Sequence, residues 1–169
     1  MVWWFSLTSR FSGMEKSHHY RSTVTWTGNR GSGTLDYRAY SRDHQIRVGS
    51  KEPAIPASSD PAFRGDEHRY NPEELFLASL SSCHMLWYLH LAAVSGVVVL
   101  EYTDRAEGTM EEGEDGSGRF TEITLRPEVR VAAESQLSLA ESLHERAGEK
   151  CFLAASVNFP VRYRPAISC

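Results

Sequence analysis

The stretch Asn71-Pro72-Glu73-Glu74-Leu75-Phe76-Leu77-Ala78-Ser79-Leu80-Ser81-Ser82-Cys83 decides the reading of this chain. Asn71 is a good helix cap, Pro72 suits the first helical position, and Glu74 completes a capping box with Asn71. From Leu75 to Val94 the residues are apolar nearly all round, through Leu80, Met85, Leu86, Trp87, Leu89 and Leu91. A helix without a polar face is buried on every side, so this is a central helix, which Gly96 ends. Cys83 lies in its middle, too far from the helix start for the dipole alone to acidify it.

Working outward, Tyr20, Ser22, Val24 and Trp26 share one face of a strand over Tyr20–Trp26. Gly28–Gly33 is a turn, and Thr34–Tyr40 and His44–Val48 are expected to be two more short strands. Residues 51–70 carry Pro53, Pro56, Pro61 and Gly65 and are expected to form one long loop. Beyond the central helix, Val97–Met110 and Arg119–Val131 are expected to be two long strands joined by the acidic hairpin Glu111–Gly118, a solvated loop rather than a calcium site. Ser138 with Glu141 suggests a second capping box. The helix that follows sets Ala140, Leu143, Ala147 and Cys151 on one stripe, so Cys151 faces inward from its end. Val157, Phe159, Val161 and Tyr163 alternate as a last strand, with Pro160 at an edge or a bulge. Strands, long helix, strands, helix, strand is an α+β order.

The 169 residues suit one domain, and 41% hydrophobic with 24% charged residues is a soluble globular composition. Residues 1–17 are read as an N-terminal extension, of which 1–13 precede Met14, and 18–169 as the domain. No segment approaches the ~20 apolar residues of a membrane span, and no secretory signal pattern is present; the expected compartment is the cytoplasm. A net charge of −4 argues against nucleic acid as the main partner. Of the three cysteines, Cys83, Cys151 and Cys169, none forms a CxxC pair, and a reducing cytosol disfavours a structural disulfide. Taken alone, Cys83 reads first as a small core hydrophobe, which free cysteines usually are.

Asn71-Pro72-Glu73-Glu74-Leu75-Phe76 followed by Ser81-Ser82-Cys83 resembles the signature of the OsmC/Ohr family, osmotically inducible protein C-like thiol peroxidases. Glu149-Lys150-Cys151-Phe152 resembles the family's second cysteine motif, and Arg30 follows the first strand where the family keeps an arginine. The tracts Ser59–Asp66 and Cys83–His90 look like an OsmC-like subgroup rather than the hydroperoxide-resistance proteins proper. The resemblance covers Tyr20–Pro165; Cys169 has no family counterpart.

The resemblance implies an antiparallel sheet with a long buried central helix in an intertwined homodimer, and a peroxidase without metal or prosthetic group. Cys83 would attack an organic hydroperoxide and Cys151 would close a disulfide, which an external dithiol or a lipoylated protein would reopen. Arg30 would stabilise the thiolate and Glu73 would hold Arg30. Arg64 competes with Arg30 for that role. Phe63 and Phe76, with Trp87 and Phe152, could line an apolar substrate pocket, and core packing is an equal reading of each. Glu73 and Cys83 stand ten residues apart on one helix, roughly 15 Å, so an Arg–Glu pair is expected to reach the cysteine of the other subunit.

Other signals read more plainly. His84 and His90 do not share a helix face and are not expected to bind a metal together. A Cys–His hydrolase would need His144 or His44 beside Cys83 without any motif for it. Ser81 and Ser82 are read as helix-packing residues. The reading of a different class is a non-enzymatic dimer that binds an apolar ligand or senses oxidants through a reversible disulfide.

Overall fold

A computed structural model describes residues 16–169. The proposed extension therefore lies almost wholly outside the described residues. The central helix α1 spans Pro72–Val94. Asn71 Oδ1 accepts from the Glu74 N–H at 2.8 Å while Glu74 Oε2 accepts from the Asn71 N–H at 3.0 Å, so the capping box is present. At the far end Gly96 takes φ +76°. The Gly96 N–H then donates to the Ala93 carbonyl and the Val97 N–H to the Ala92 carbonyl, closing α1 as a Schellman motif.

Three short strands precede it: β1 (Thr23–Trp26), β2 (His44–Arg47) and β3 (Ile55–Ala57), an antiparallel sheet in that order. The expected strand over 34–40 is absent. Asn29 Oδ1 accepts from the Gly31 and Gly33 N–H groups, both glycines at positive φ, and this curls the chain. The Arg42 guanidinium then sits 4.2 Å and 4.3 Å over the Tyr37 and Tyr40 rings and donates to both their carbonyls, fixing a compact loop instead. The stretch 51–70 is also more structured than expected. It contains β3 and a 3-10 turn at Pro61–Phe63 capped by Asp60.

After α1 come β4 (Val99–Asp104), β5 (Glu107–Glu112), β6 (Gly118–Leu125) and β7 (Pro127–Val131). The two expected long strands are each broken in two, at Arg105-Ala106 and at Arg126. Pro127 has no N–H to offer a continuous ladder. Asp104 takes over at the break: Oδ1 accepts from the Arg126 N–H at 2.7 Å and Oδ2 from the Ser81 hydroxyl at 2.5 Å. β5 and β6 form the expected acidic hairpin, and β4 pairs with β7.

Helix α2 spans Leu137–Lys150. Ser138 is not its cap. A 3-10 turn at Glu134–Gln136 leads straight into α2, which puts Ser138 inside the first turn. Gln136 ties this start to the end of α1 through the Gly96 carbonyl (2.8 Å) and the Val98 N–H (3.3 Å). The last expected strand begins later, as β8 (Val161–Tyr163), parallel to β6. A further strand, β9 (Ala166–Ser168), runs parallel to β7.

One core joins Tyr88, Leu91 and Ala92 of α1 to Val129 and Val131 of β7 and to Ala140, Leu143 and Ala147 of α2. A second joins Leu80 to Ile123 and Leu125 of β6, with Phe76, Phe120 and Phe159 around them. The stripe read from α2 is buried throughout, Cys151 included. Burial of α1 on every face is not what one chain shows: Leu86 is 63% and Val94 67% exposed. The expectation about membrane length is corrected too. By length and composition α1 could cross a membrane; its inner face, however, packs against α2 and β7 as the core helix of an α+β fold.

Candidate active site

Cys83 is half-buried in the middle of α1, and Cys151 caps the end of α2 with its side chain buried. The segments around them meet in three ways. Trp87, one turn beyond Cys83, packs edge-on against Phe152, next to Cys151, at 5.5 Å between ring centroids. His84, next to Cys83, meets His144 of α2 with Nε2 3.0 Å from Nδ1. Tyr163 of β8 stacks on His84 at 4.5 Å and lies against Gly148, three residues before Cys151. The helix crossing therefore unites two thiols that stand 68 positions apart in the chain.

Their environments differ. Burial pushes the Cys151 thiol up to about 11; the Ala154 N–H, which donates to Sγ at 3.5 Å, opposes it, and Cys83 adds a smaller upward push. The negative end of α2 also disfavours a thiolate there. Cys151 is thus a protonated, enclosed thiol and Cys83 an accessible one. Cys169 is exposed at the chain end.

None of the charged residues expected to serve Cys83 is hydrogen-bonded or ion-paired to it among the described residues. Arg30 is exposed in the Gly28–Gly33 turn, and Arg64 is exposed at φ +65°. Neither guanidinium makes a hydrogen bond or ion pair with a described residue; the Arg64 guanidinium carbon lies over the Tyr37 ring, 5.9 Å from its centroid. Glu73 sits in the first turn of α1, and its Oε2 is buried without a partner among the described residues. An unpaired buried carboxylate oxygen is costly, so this oxygen has room for a donor that the described residues do not supply. Phe63 lies in the 3-10 turn before α1. Phe76 packs with Phe120 at 5.3 Å and Phe159 at 6.2 Å, inside the second core.

Sequence reasoning missed the column of rings behind the cysteines. Tyr102 packs on Tyr88, Tyr88 stacks on His144 at 3.9 Å, and His84 stacks between His144 and Tyr163. Burial drives His84 down to about 4, and burial together with the charge of His84 drives His144 down to about 3, so the pair is neutral. The signal was available: His84 shares a helix face with Leu80, Tyr88 and Leu91, and His144 continues the stripe of Ala140, Ala147 and Cys151. No group of three or more His, Cys, Asp or Glu with metal-binding geometry occurs among the described residues.

Residues 65–164 match the family of OsmC-like proteins, and the chain belongs to that family. An OsmC-like protein of unknown function from Vibrio cholerae is 33% identical, with a TM-score of 0.80 over 89% of this chain and 100% of its own. An organic hydroperoxide resistance protein from Elizabethkingia anophelis shares the fold at 16% identity, with a TM-score of 0.66 over 92% and 99% of the two chains. The organic hydroperoxide resistance protein OhrB of Bacillus subtilis does so at 16% identity, with a TM-score of 0.58 over 89% and 98%. No curated protein matches the chain.

Proposed function

We propose that this protein is a two-cysteine thiol peroxidase that reduces organic hydroperoxides to alcohols in the cytoplasm. The observation that carries the reading is the pairing of an accessible Cys83 with an enclosed Cys151, on segments that meet at Trp87–Phe152 and His84–His144. Access favours Cys83 as the attacking sulfur, and burial suits Cys151 to wait for it.

In the first step the Cys83 thiolate attacks the distal oxygen of the hydroperoxide. The O–O bond breaks, the leaving alkoxide takes up the proton that Cys83 released on ionising and departs as alcohol, and Cys83 becomes a sulfenic acid. The Cys151 sulfur then displaces that oxygen as water and an S–S bond forms. An external dithiol, free or lipoyl-borne, restores both thiols by exchange. No resident cofactor is required.

The working form is a homodimer. Leu86, Val94 and Phe152 are each more than 60% exposed around the outer face of α1, an apolar surface of the kind that copies of a chain cover for each other. The partnerless Glu73 oxygen supports the cross-subunit reading of the site, with Arg30 as its cation and Arg64 as the competitor. Phe63 and Arg64 would border the hydroperoxide. The core position of Phe76 favours a packing role for it.

The test is consumption of cumene hydroperoxide with dihydrolipoamide as reductant. Wild type turns over, Cys83→Ser is inactive, and Cys151→Ser completes one oxidation event and stops. Equal background rates in all three would sink the peroxidase reading.

A further inference from the structure

Tyr163 occupies a position that the two-cysteine scheme leaves without a task. Its ring lies on His84, the neighbour of Cys83, and against Gly148, whose carbonyl accepts from the Cys151 N–H at 3.2 Å. It therefore touches both cysteine-bearing segments. The fit to α2 is close: a Cβ on Gly148 would lie 2.6 Å from the ring and 2.9 Å from the hydroxyl oxygen. Glycine inside a helix costs about 1 kcal/mol relative to alanine, and here it makes the notch that seats the tyrosine. On its open side Tyr163 lines a cleft of about 700 Å³ with His144, Gly148, Glu149, Ala154 and Val161. Burial, then the charges of Cys151 and Cys83, push the hydroxyl up to about 12. It is a proton-bearing donor throughout the physiological range and cannot act as a base.

We infer that the Tyr163 hydroxyl donates a hydrogen bond to the oxygen of the Cys83 sulfenic acid, directing it to Cys151 instead of to a second peroxide. The inference rests on the peroxidase reading. In the step concerned, the Cys151 sulfur bonds to the Cys83 sulfur and the S–O bond breaks. The oxygen departs as water with the Cys151 proton. The tyrosine proton is not consumed; it stabilises the charge growing on the departing oxygen. Without the donor, the sulfenic acid persists, and a second hydroperoxide converts it to sulfinic acid with release of another alcohol.

Tyr163→Phe removes one oxygen and keeps the ring on His84 and Gly148. Each reduced protein is mixed with one equivalent of cumene hydroperoxide. The sulfenic acid is trapped with dimedone and the disulfide followed by mass spectrometry. Loss of Cys83 thiol proceeds at the wild-type rate in Tyr163→Phe. Disulfide formation slows about tenfold, the equivalent of one hydrogen bond of ~1.4 kcal/mol, the dimedone adduct accumulates, and excess peroxide yields sulfinic acid. A melting curve within about 3 °C of wild type excludes a merely structural effect. An unchanged rate of disulfide formation overturns the inference alone, as does an altered rate accompanied by a collapsed melting temperature. A wild type that peroxide does not oxidise overturns the peroxidase reading and this inference with it.

Discussion

His84 Nε2 and His144 Nδ1 meet at 3.0 Å between α1 and α2, with both rings buried and stacked between Tyr163 and Tyr88. A neutral pair shares one hydrogen in that contact. Among the described residues, their outer nitrogens, His84 Nδ1 and His144 Nε2, have no partner. The helix crossing that joins the cysteines is thus built on two imidazoles that must stay uncharged.

Acidification should therefore loosen the crossing. Both histidines titrate lower in the fold than in the unfolded chain, so below the ordinary imidazole range the unfolded state binds more protons than the native one. Stability is fully present above about pH 6.5 and falls as pH drops through about 4 and on towards about 3. Chemical denaturation followed between pH 7 and 4 should show this loss, with a slope shallower by about one proton in His144→Gln. A stability flat across that range would mean that the two rings are not buried neutral.

Cys151 shifts the opposite way. Its folded-state value of about 11 leaves the thiol protonated at pH 8, and its contribution to stability is constant below about 9 and lost as pH rises towards 11. Brief alkylation at pH 8 followed by mass spectrometry should therefore label exposed Cys169 and half-buried Cys83 ahead of Cys151. Early labelling of Cys151 would contradict its enclosure.

Gly148→Ala should reverse the usual sign of a helical substitution. Alanine ordinarily gains about 1 kcal/mol over glycine in a helix interior, but here its Cβ would stand 2.6 Å from the Tyr163 ring, at the junction of β8 and α2. The melting temperature is expected to fall. In a Tyr163→Ala background the same change should become neutral or stabilising, a coupling that a double-mutant cycle reads directly.

Glu73→Gln tests the partnerless carboxylate oxygen at the start of α1. Pairing of Oε2 with a partner subunit's arginine predicts a loss of kcat/KM of about tenfold or more, the range of a charge-assisted hydrogen bond. Arg30→Ala should reproduce that loss and Arg64→Ala should not. The reverse pattern would transfer the role to Arg64. Full activity in Glu73→Gln would remove the glutamate from the site.

The helix cap offers a plain stability measurement. Asn71→Ala deletes the side-chain acceptor that holds the Glu74 N–H and should lower unfolding free energy by about 1 kcal/mol. No change on denaturant titration would mean that Pro72 and the packing behind α1 set the helix start without it.

The sequence by itself determined α1 and its two ends, because capping and the glycine stop are local: Asn71, Pro72, Glu74 and Gly96 act within a turn of their own positions. It also determined the inward stripe of α2 that ends in Cys151, since helical periodicity needs no distant partner, and the motif around Cys83 that marks the family. It misjudged the strands around Thr34–Tyr40, Asp104–Arg105 and Val157–Pro160, where arginine–ring contacts, an aspartate at a bend and prolines override alternation. Tertiary structure alone decided that His84 stacks against Tyr163, that Gly148 makes room for that ring, and that Cys83 and Cys151 face each other. The first and last of those relations cross more than 60 residues, and the second joins α2 to β8; each follows from how the elements pack on a shared core, which no local pattern encodes.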